Sequence, residues 1–286
     1  MSQQIAFALN RIVNPYLDLE EFFELSSGAG LARVELRNDL SSGLITDNYT
    51  PAQVKELSAK YGMKILSINA LQKFNVGDLL KDKKQELEKL LQISKAIGCQ
   101  AVILCPNTDS TDTRTDKEKF TDTVTALKEF APLFEENDIT GLIEPLGFKI
   151  SSLRSPVTAM KAIKEAGEEN YRIVHDTFHH FIGPDTIESL SREYDFSFTA
   201  LVHISGVEQE RSTSDYTDND RVLVSSEDKT NTTEQIELLK NSGYEGAFSF
   251  EPFSEKIQHL HPDQLINAIR KSIDYICKKT GFTQVF

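Results

Sequence analysis

Eight short apolar runs, each followed by a stretch of helical periodicity, restrict the possible folds of this chain more than any other feature. The runs are IAFAL from Ile5, ARVELR from Ala32, KILSINAL from Lys64, AVILC from Ala101, TGLIEP from Thr140, YRIVHDTF from Tyr171, TALVHIS from Thr199 and GAFSFEPF from Gly246. Each has the length of a strand. Several are apolar almost throughout, as strands covered on both faces are. The segments between them have helix boundaries. TPAQVKELSAKYG offers Thr50 as a cap, Pro51 at the first helical position and Gly62 as a stop. KKQELEKLLQISKAIG sets Leu87, Leu90, Leu91 and Ser94 on one stripe and stops at Gly98. DLEEFFELSSGAG, EKFTDTVTALKEFAPLFEEN, SPVTAMKAIKEAG, NTTEQIELLKNSG and PDQLINAIRKSIDYICKKTG follow the same pattern. Eight β-then-α units, spaced about 30 to 40 residues apart, predict an α/β chain closed into one parallel (β/α)8 barrel. A single domain over residues 1–286 is therefore expected, with no linker between halves. The polar stretch ERSTSDYTDNDRVLVSSEDKTN, before the helix near Thr233, is too long for a plain connection and is expected to be functional or mobile.

In such a barrel the chemistry gathers at the C-terminal strand ends. Those ends carry Asn10, Arg37, Asn69, Asn107, Glu144, Asp176 with His179, His203 and Glu251. Glu144, Asp176, His203 and Glu251 close the fifth to eighth runs, where unpaired charge is costly. Three carboxylates and an imidazole suit a divalent ion, Mn2+ first, with Mg2+ or Co2+ also accommodated; a structural zinc site would call for thiolates. Arg37 either meets an anionic substrate group or pairs with Asp39, and Lys149 and Arg154 are similarly ambiguous. The asparagines either bind hydroxyls or shape turns. His175 should face the helices. His180 turns away from the mouth if the backbone after Asp176 stays extended. His259 and His261 read as a solvated loop before Pro262, and Cys105 as a small buried residue.

The segments GLIEPLG, VHDTFHHF, LVHISG and FSFEPF resemble strand ends of the xylose isomerase-like TIM-barrel superfamily of sugar isomerases and epimerases. The closing SFEPF is most similar to its inositol-catabolism branch. The resemblance implies that Glu144, Asp176, His203 and Glu251 ligate a divalent metal (Zn2+ included), and that Glu144 and Glu251 exchange a proton with the substrate. It makes His179 a ligand of substrate hydroxyls and Arg221, in DNDR, a substrate anchor. Where the family carries P-G-x-G after that arginine, this chain has VLVSSEDK. The implied activity is isomerisation or epimerisation of a ketose or cyclitol ketone through an enediolate, or dehydration of a keto-inositol. Homodimers or homotetramers are common in that superfamily.

An endonuclease-like phosphodiesterase on the same barrel needs more than one metal. The early strand ends here supply Asn10, Asn69 and Asn107 and no histidine. A net charge of −13 also opposes nucleic acid. A non-catalytic sugar-binding protein is the other alternative. No apolar run is long enough to span a membrane, and the N-terminus lacks a secretory pattern, so a cytoplasmic enzyme of a small sugar or cyclitol is expected. The three cysteines, with no CxxC pair, fit that setting.

Overall fold

The structure, a computed structural model, describes residues 3–286. Strands β1 (Gln4–Asn10), β2 (Arg33–Arg37), β3 (Lys64–Gln72), β4 (Ala101–Cys105), β5 (Thr140–Ile143), β6 (Tyr171–Asp176), β7 (Thr199–Ile204) and β8 (Ala247–Phe250) pair in sequence, all parallel. The ring closes where β1 pairs with β8 through Ala6↔Ala247 to Leu9↔Phe250 and with β2 through Leu9↔Val34. This is the expected (β/α)8 TIM barrel. A further strand, β9 (Thr283–Val285), lies parallel to the first residues of β1 and was not anticipated.

The helices are α1 (Leu19–Gly28), α2 (Pro51–Tyr61), α3 (Leu80–Ile97), α4 (Asp116–Asn137), α5 (Pro156–Ala166), α6 (Thr177–Ile182), α7 (Ile187–Glu193), α8 (Thr232–Asn241), α9 (Glu255–Gln258) and α10 (Pro262–Thr280). The boundaries follow the predicted signals. Thr50 accepts from the Gln53 amide ahead of Pro51, and Gly98 ends α3 with φ 77°, a left-handed conformation that glycine adopts without a Cβ clash. Leu87, Leu90, Leu91 and Ser94 are all buried. The short helices α6, α7 and α9 are additions to the expected set. No helix among the described residues is long and apolar enough to cross a membrane.

Strand periodicity divides the molecule into two cores. Val34, Leu36, Ile68, Val102 and Phe248 face outward into the large core under the helices. Ala8, Ala101, Ile103, Leu142, Val174, Leu201 and Ala247 fill the barrel interior. Going up the same inward rows, Ala247 leads to Ser249 and Glu251, Leu201 to His203, Val174 to Asp176, and Leu142 to Glu144. The rows that pack the barrel therefore present the chemistry at its C-terminal mouth.

One close approach fixes the wall of that mouth. The connection after β5 passes so near α6 that a Cβ on Gly147 would collide with the His179 carbonyl oxygen. Arg154 secures the same crossing by donating to the carbonyls of Gly147 at 2.7 Å and Ile182 at 3.3 Å. Gly147→Ala is expected to cost about 1–3 kcal/mol through overpacking, read as a lowered urea midpoint. Unchanged stability would mean the two segments can separate freely.

Candidate active site

Parallel register brings the four strand-end residues to one level. Asp176 pairs with His203, the Glu144 amide still donates to Leu104, and the Glu251 amide to Ile204. His203 Nδ1 lies 2.8 Å from Glu144 Oε1, 3.2 Å from Glu251 Oε2 and 3.9 Å from Asp176 Oδ2. One ligand atom from each of the four falls within 4.8 Å of the others, and all four residues are buried.

The cluster is tied down by donors. Glu251 Oε1 accepts from Arg37 Nη1 at 2.8 Å, Asn10 Nδ2 at 3.1 Å and Asn69 Nδ2 at 3.3 Å. Arg221 Nη2 bridges Asp176 Oδ2 at 2.6 Å and Glu251 Oε2 at 2.8 Å. Its guanidinium sits 5.1 Å from the Phe178 ring centre and 4.7 Å from that of Phe253, a desolvated cation–π setting. Burial disfavours charge on Glu251, yet the charges of His203, Arg221 and Arg37 outweigh it and hold this carboxyl well below its usual range. Burial likewise opposes charge on His203, but Glu251, Glu35 and Glu144 raise its imidazolium well above normal. Desolvation and the neighbouring Glu144 push the Cys105 thiol up, which keeps it neutral.

This donor set fits a divalent cation. With His203 neutral, as a metal ligand must be, four buried carboxylates (Glu35, Glu144, Asp176 and Glu251) face two buried guanidiniums (Arg37 and Arg221), a deficit of two positive charges that one divalent ion would balance. Asp39 also takes part of Arg37 through two 2.7 Å bonds. The residues beside a cavity of about 450 Å3 include Asn69, His179, Phe148 and Phe253. A cavity of about 480 Å3 at the opposite, N-terminal end of the barrel contains none of the four candidate ligands. Chemistry, not size, singles out the upper cavity.

The remaining predicted residues separate. His179 lines the upper cavity with Nδ1 buried and free of any hydrogen bond, its amide donating to Asp176 Oδ1 at 2.9 Å. Arg221 arrives from the long connection as expected, bound to two candidate ligands. Arg37 pairs with Asp39, one of the two readings left open, and also reaches Glu251, a contact that neither reading included. Asn10 is fully engaged, its Oδ1 accepting from the Ile12 amide and Arg37. Asn69 keeps a buried, unbonded Oδ1.

Asn107 does not join the site. Its amide donates to Asp112 at 2.9 Å and its Oδ1 accepts from the Asp109 amide, so the side chain organises its own loop. The backbone after Asp176 is helical, which corrects the extended reading used for His180. That ring packs 5.1 Å from His175, and burial brings its pKa down to about 3. His175 faces the helices and meets Gln235 at 2.9 Å. His259 caps α9, and His261 is exposed at the start of α10. Sequence reasoning passed over Glu35, which lies against His203 on the side opposite the other carboxylates. The signal was present in ARVELR, where charged Arg33, Glu35 and Arg37 alternate with apolar Val34 and Leu36.

Fold and cluster together define a class, a TIM barrel with a carboxylate–imidazole centre at its C-terminal mouth. The chain belongs to the xylose isomerase-like TIM-barrel family, whose model matches residues 23–279. A xylose isomerase domain protein of Salmonella typhimurium LT2, solved by crystallography, is 36% identical, with 96% of this chain and 98% of that one covered at a TM-score of 0.89. The IolI protein, crystallised with a bound zinc atom, is 21% identical, covering 96% and 99% of the two chains at a TM-score of 0.87. An inosose isomerase of Halalkalibacterium halodurans is 23% identical over 235 residues, 81% of this chain and 82% of its own.

An imidazolium cannot ligate a metal until Nδ1 is deprotonated. Because the His203 pKa is raised, affinity of chelator-stripped protein for Mn2+ should climb with pH through and beyond neutrality, by up to about tenfold per unit. Calorimetric titration at several pH values checks this, and a flat profile across them would remove His203 from the ligand set.

Proposed function

We propose that this protein is a divalent-metal-dependent isomerase of a keto-sugar or cyclitol ketone, an inosose being the first candidate. The convergence of Glu144, Asp176, His203 and Glu251 beside the upper cavity carries this reading. The similarity to an inosose isomerase and to a zinc-holding barrel supports it. A divalent ion held by those four residues, Mn2+ or in its place Mg2+, Co2+ or Zn2+, supplies Lewis acidity to adjacent substrate oxygens when bound.

The two glutamates divide the proton work unequally. Glu144 Oε1 meets His203, while Oε2 receives the neutral Cys105 thiol at a long 3.5 Å. That weakly bonded oxygen is free to take a proton from the carbon bearing a hydroxyl next to the carbonyl, leaving an enediolate. Glu144 returns that proton to the former carbonyl carbon while the hydroxyl proton passes to the other oxygen, which gives the isomeric ketone. Glu251, kept ionised by Arg37 and Arg221 with donors on both oxygens, is the second carboxylate of the pair and relays the hydroxyl proton between the two substrate oxygens. His179 Nδ1 and Asn69 Oδ1 hold substrate hydroxyls, while Phe148 and Phe253 form an apolar wall that limits water.

Purified protein loaded with Mn2+ should exchange the proton next to the carbonyl of an inosose for solvent deuterium, followed by NMR. An isomeric ketone as product marks isomerisation, whereas loss of water marks a dehydratase. Glu144→Gln should slow exchange by about 10²-fold or more, and Glu251→Gln should slow turnover less steeply. Full exchange in both variants would rule out the two-carboxylate scheme.

A further inference from the structure

Glu35 stands beneath the centre in the middle of β2, fully buried at 0% exposure. Its Oε2 lies 3.2 Å from His203 Nε2 and accepts from Ser67 Oγ at 2.6 Å, while its Oε1 is buried without a partner. Among the described residues, His203 is the one ionisable group within ion-pair distance of it. A carboxylate in that position is expensive to bury, and a barrel interior packed for stability would place an apolar side chain there. What it does accomplish is geometric. A neutral imidazole carries one proton, and the partner of one nitrogen decides which atom is left as a lone pair.

We propose that Glu35 is a positioning residue: it keeps the His203 proton on Nε2, locks the ring, and so presents Nδ1 as the ligand atom toward Glu144, Asp176 and Glu251. Ser67 in turn fixes Glu35, making a hydroxyl–carboxylate–imidazole chain that runs from β3 through β2 to β7. Hydrogen bonds of this kind behind a ligating histidine typically govern affinity by about 10- to 100-fold. The inference rests on the metal-centre reading given above.

The test is calorimetric titration of Zn2+ into chelator-stripped wild-type, Glu35→Gln and Ser67→Ala proteins, alongside thermal melts without metal. Glu35→Gln is expected to weaken Zn2+ binding about 10- to 100-fold while melting within a few degrees of wild type, and Ser67→Ala to weaken it several-fold. With 15N-labelled histidine and Zn2+ bound, wild-type protein should show one slowly exchanging Nε2–H signal for His203, broadened or lost in Glu35→Gln. Wild-type affinity in both variants would overturn the positioning role and leave the centre intact. The role is equally overturned if Ser67→Ala alone folds and it binds Zn2+ as wild type does. No Zn2+ binding by wild-type protein would overturn the metal centre itself, and this inference with it.

Discussion

The mutual repulsion of buried carboxylates at the barrel mouth is the constraint to which the rest of this structure answers. Ligand atoms within 4.8 Å of one another place like charges close together in a site with little water. At an effective dielectric near 20, each such pair costs about 3–4 kcal/mol, and three pairs rival the net stability of a typical domain. Positive charge must therefore be delivered from other parts of the barrel. Arg221 provides it between Asp176 and Glu251, and Arg37 at the other oxygen of Glu251. Both guanidiniums are buried and share the face of Phe253, at 4.7 and 5.1 Å. The remaining deficit is what suits the cluster to a divalent cation.

A parallel barrel accommodates this because one strand can pack and react at different heights. The inward row of β8 passes from Ala247 through Ser249 to Glu251, and that of β2 from Arg33 through Glu35 to Arg37, while their outward rows stay apolar. Packing at the lower levels fixes backbone positions, so the upper side chains need no separate scaffold. The lower cavity, ringed by Arg33, Lys64 and Arg172 over alanine and leucine, shows what this geometry leaves when no side chains converge.

The barrel was legible because its signals are periodic and repeated: eight apolar runs, and helices with caps such as Thr50 and stops such as Gly98. The candidate ligands were legible because a charge that ends an apolar run demands an explanation. What escaped depends on context that a linear reading lacks. Charged residues alternating with apolar ones in ARVELR suggest a strand half in water, but in a closed barrel the charged face looks inward, and this hid Glu35. Asp176 ends β6 by capping α6 with its own carboxylate, so YRIVHDTF looked like a longer strand than it is. Asn107 looked like a site residue because it follows a strand, yet the partners of its side chain lie within five residues of it. The three residues of β9 are too few to announce a strand.

The connection carrying Arg221 shows how a side chain can be held in place without the expected motif. VLVSSEDK stands where the resemblance implied P-G-x-G, and the long polar stretch read as functional or mobile. Gly206 and Val222 form an antiparallel bridge with both bonds at 2.8 Å, and the Arg221 carbonyl accepts from the Ser254 amide at 2.8 Å. Asp228 gathers the amides of Val207, Thr230 and Thr232, stitching the far end of the connection to the start of α8. Ser205, one residue past β7, meets Arg221 Nε at 3.1 Å. Anchored at both ends, the guanidinium reaches Asp176 and Glu251 without a P-G-x-G segment. What the site requires of this segment is a fixed positive charge at one point, and several loop sequences can supply that.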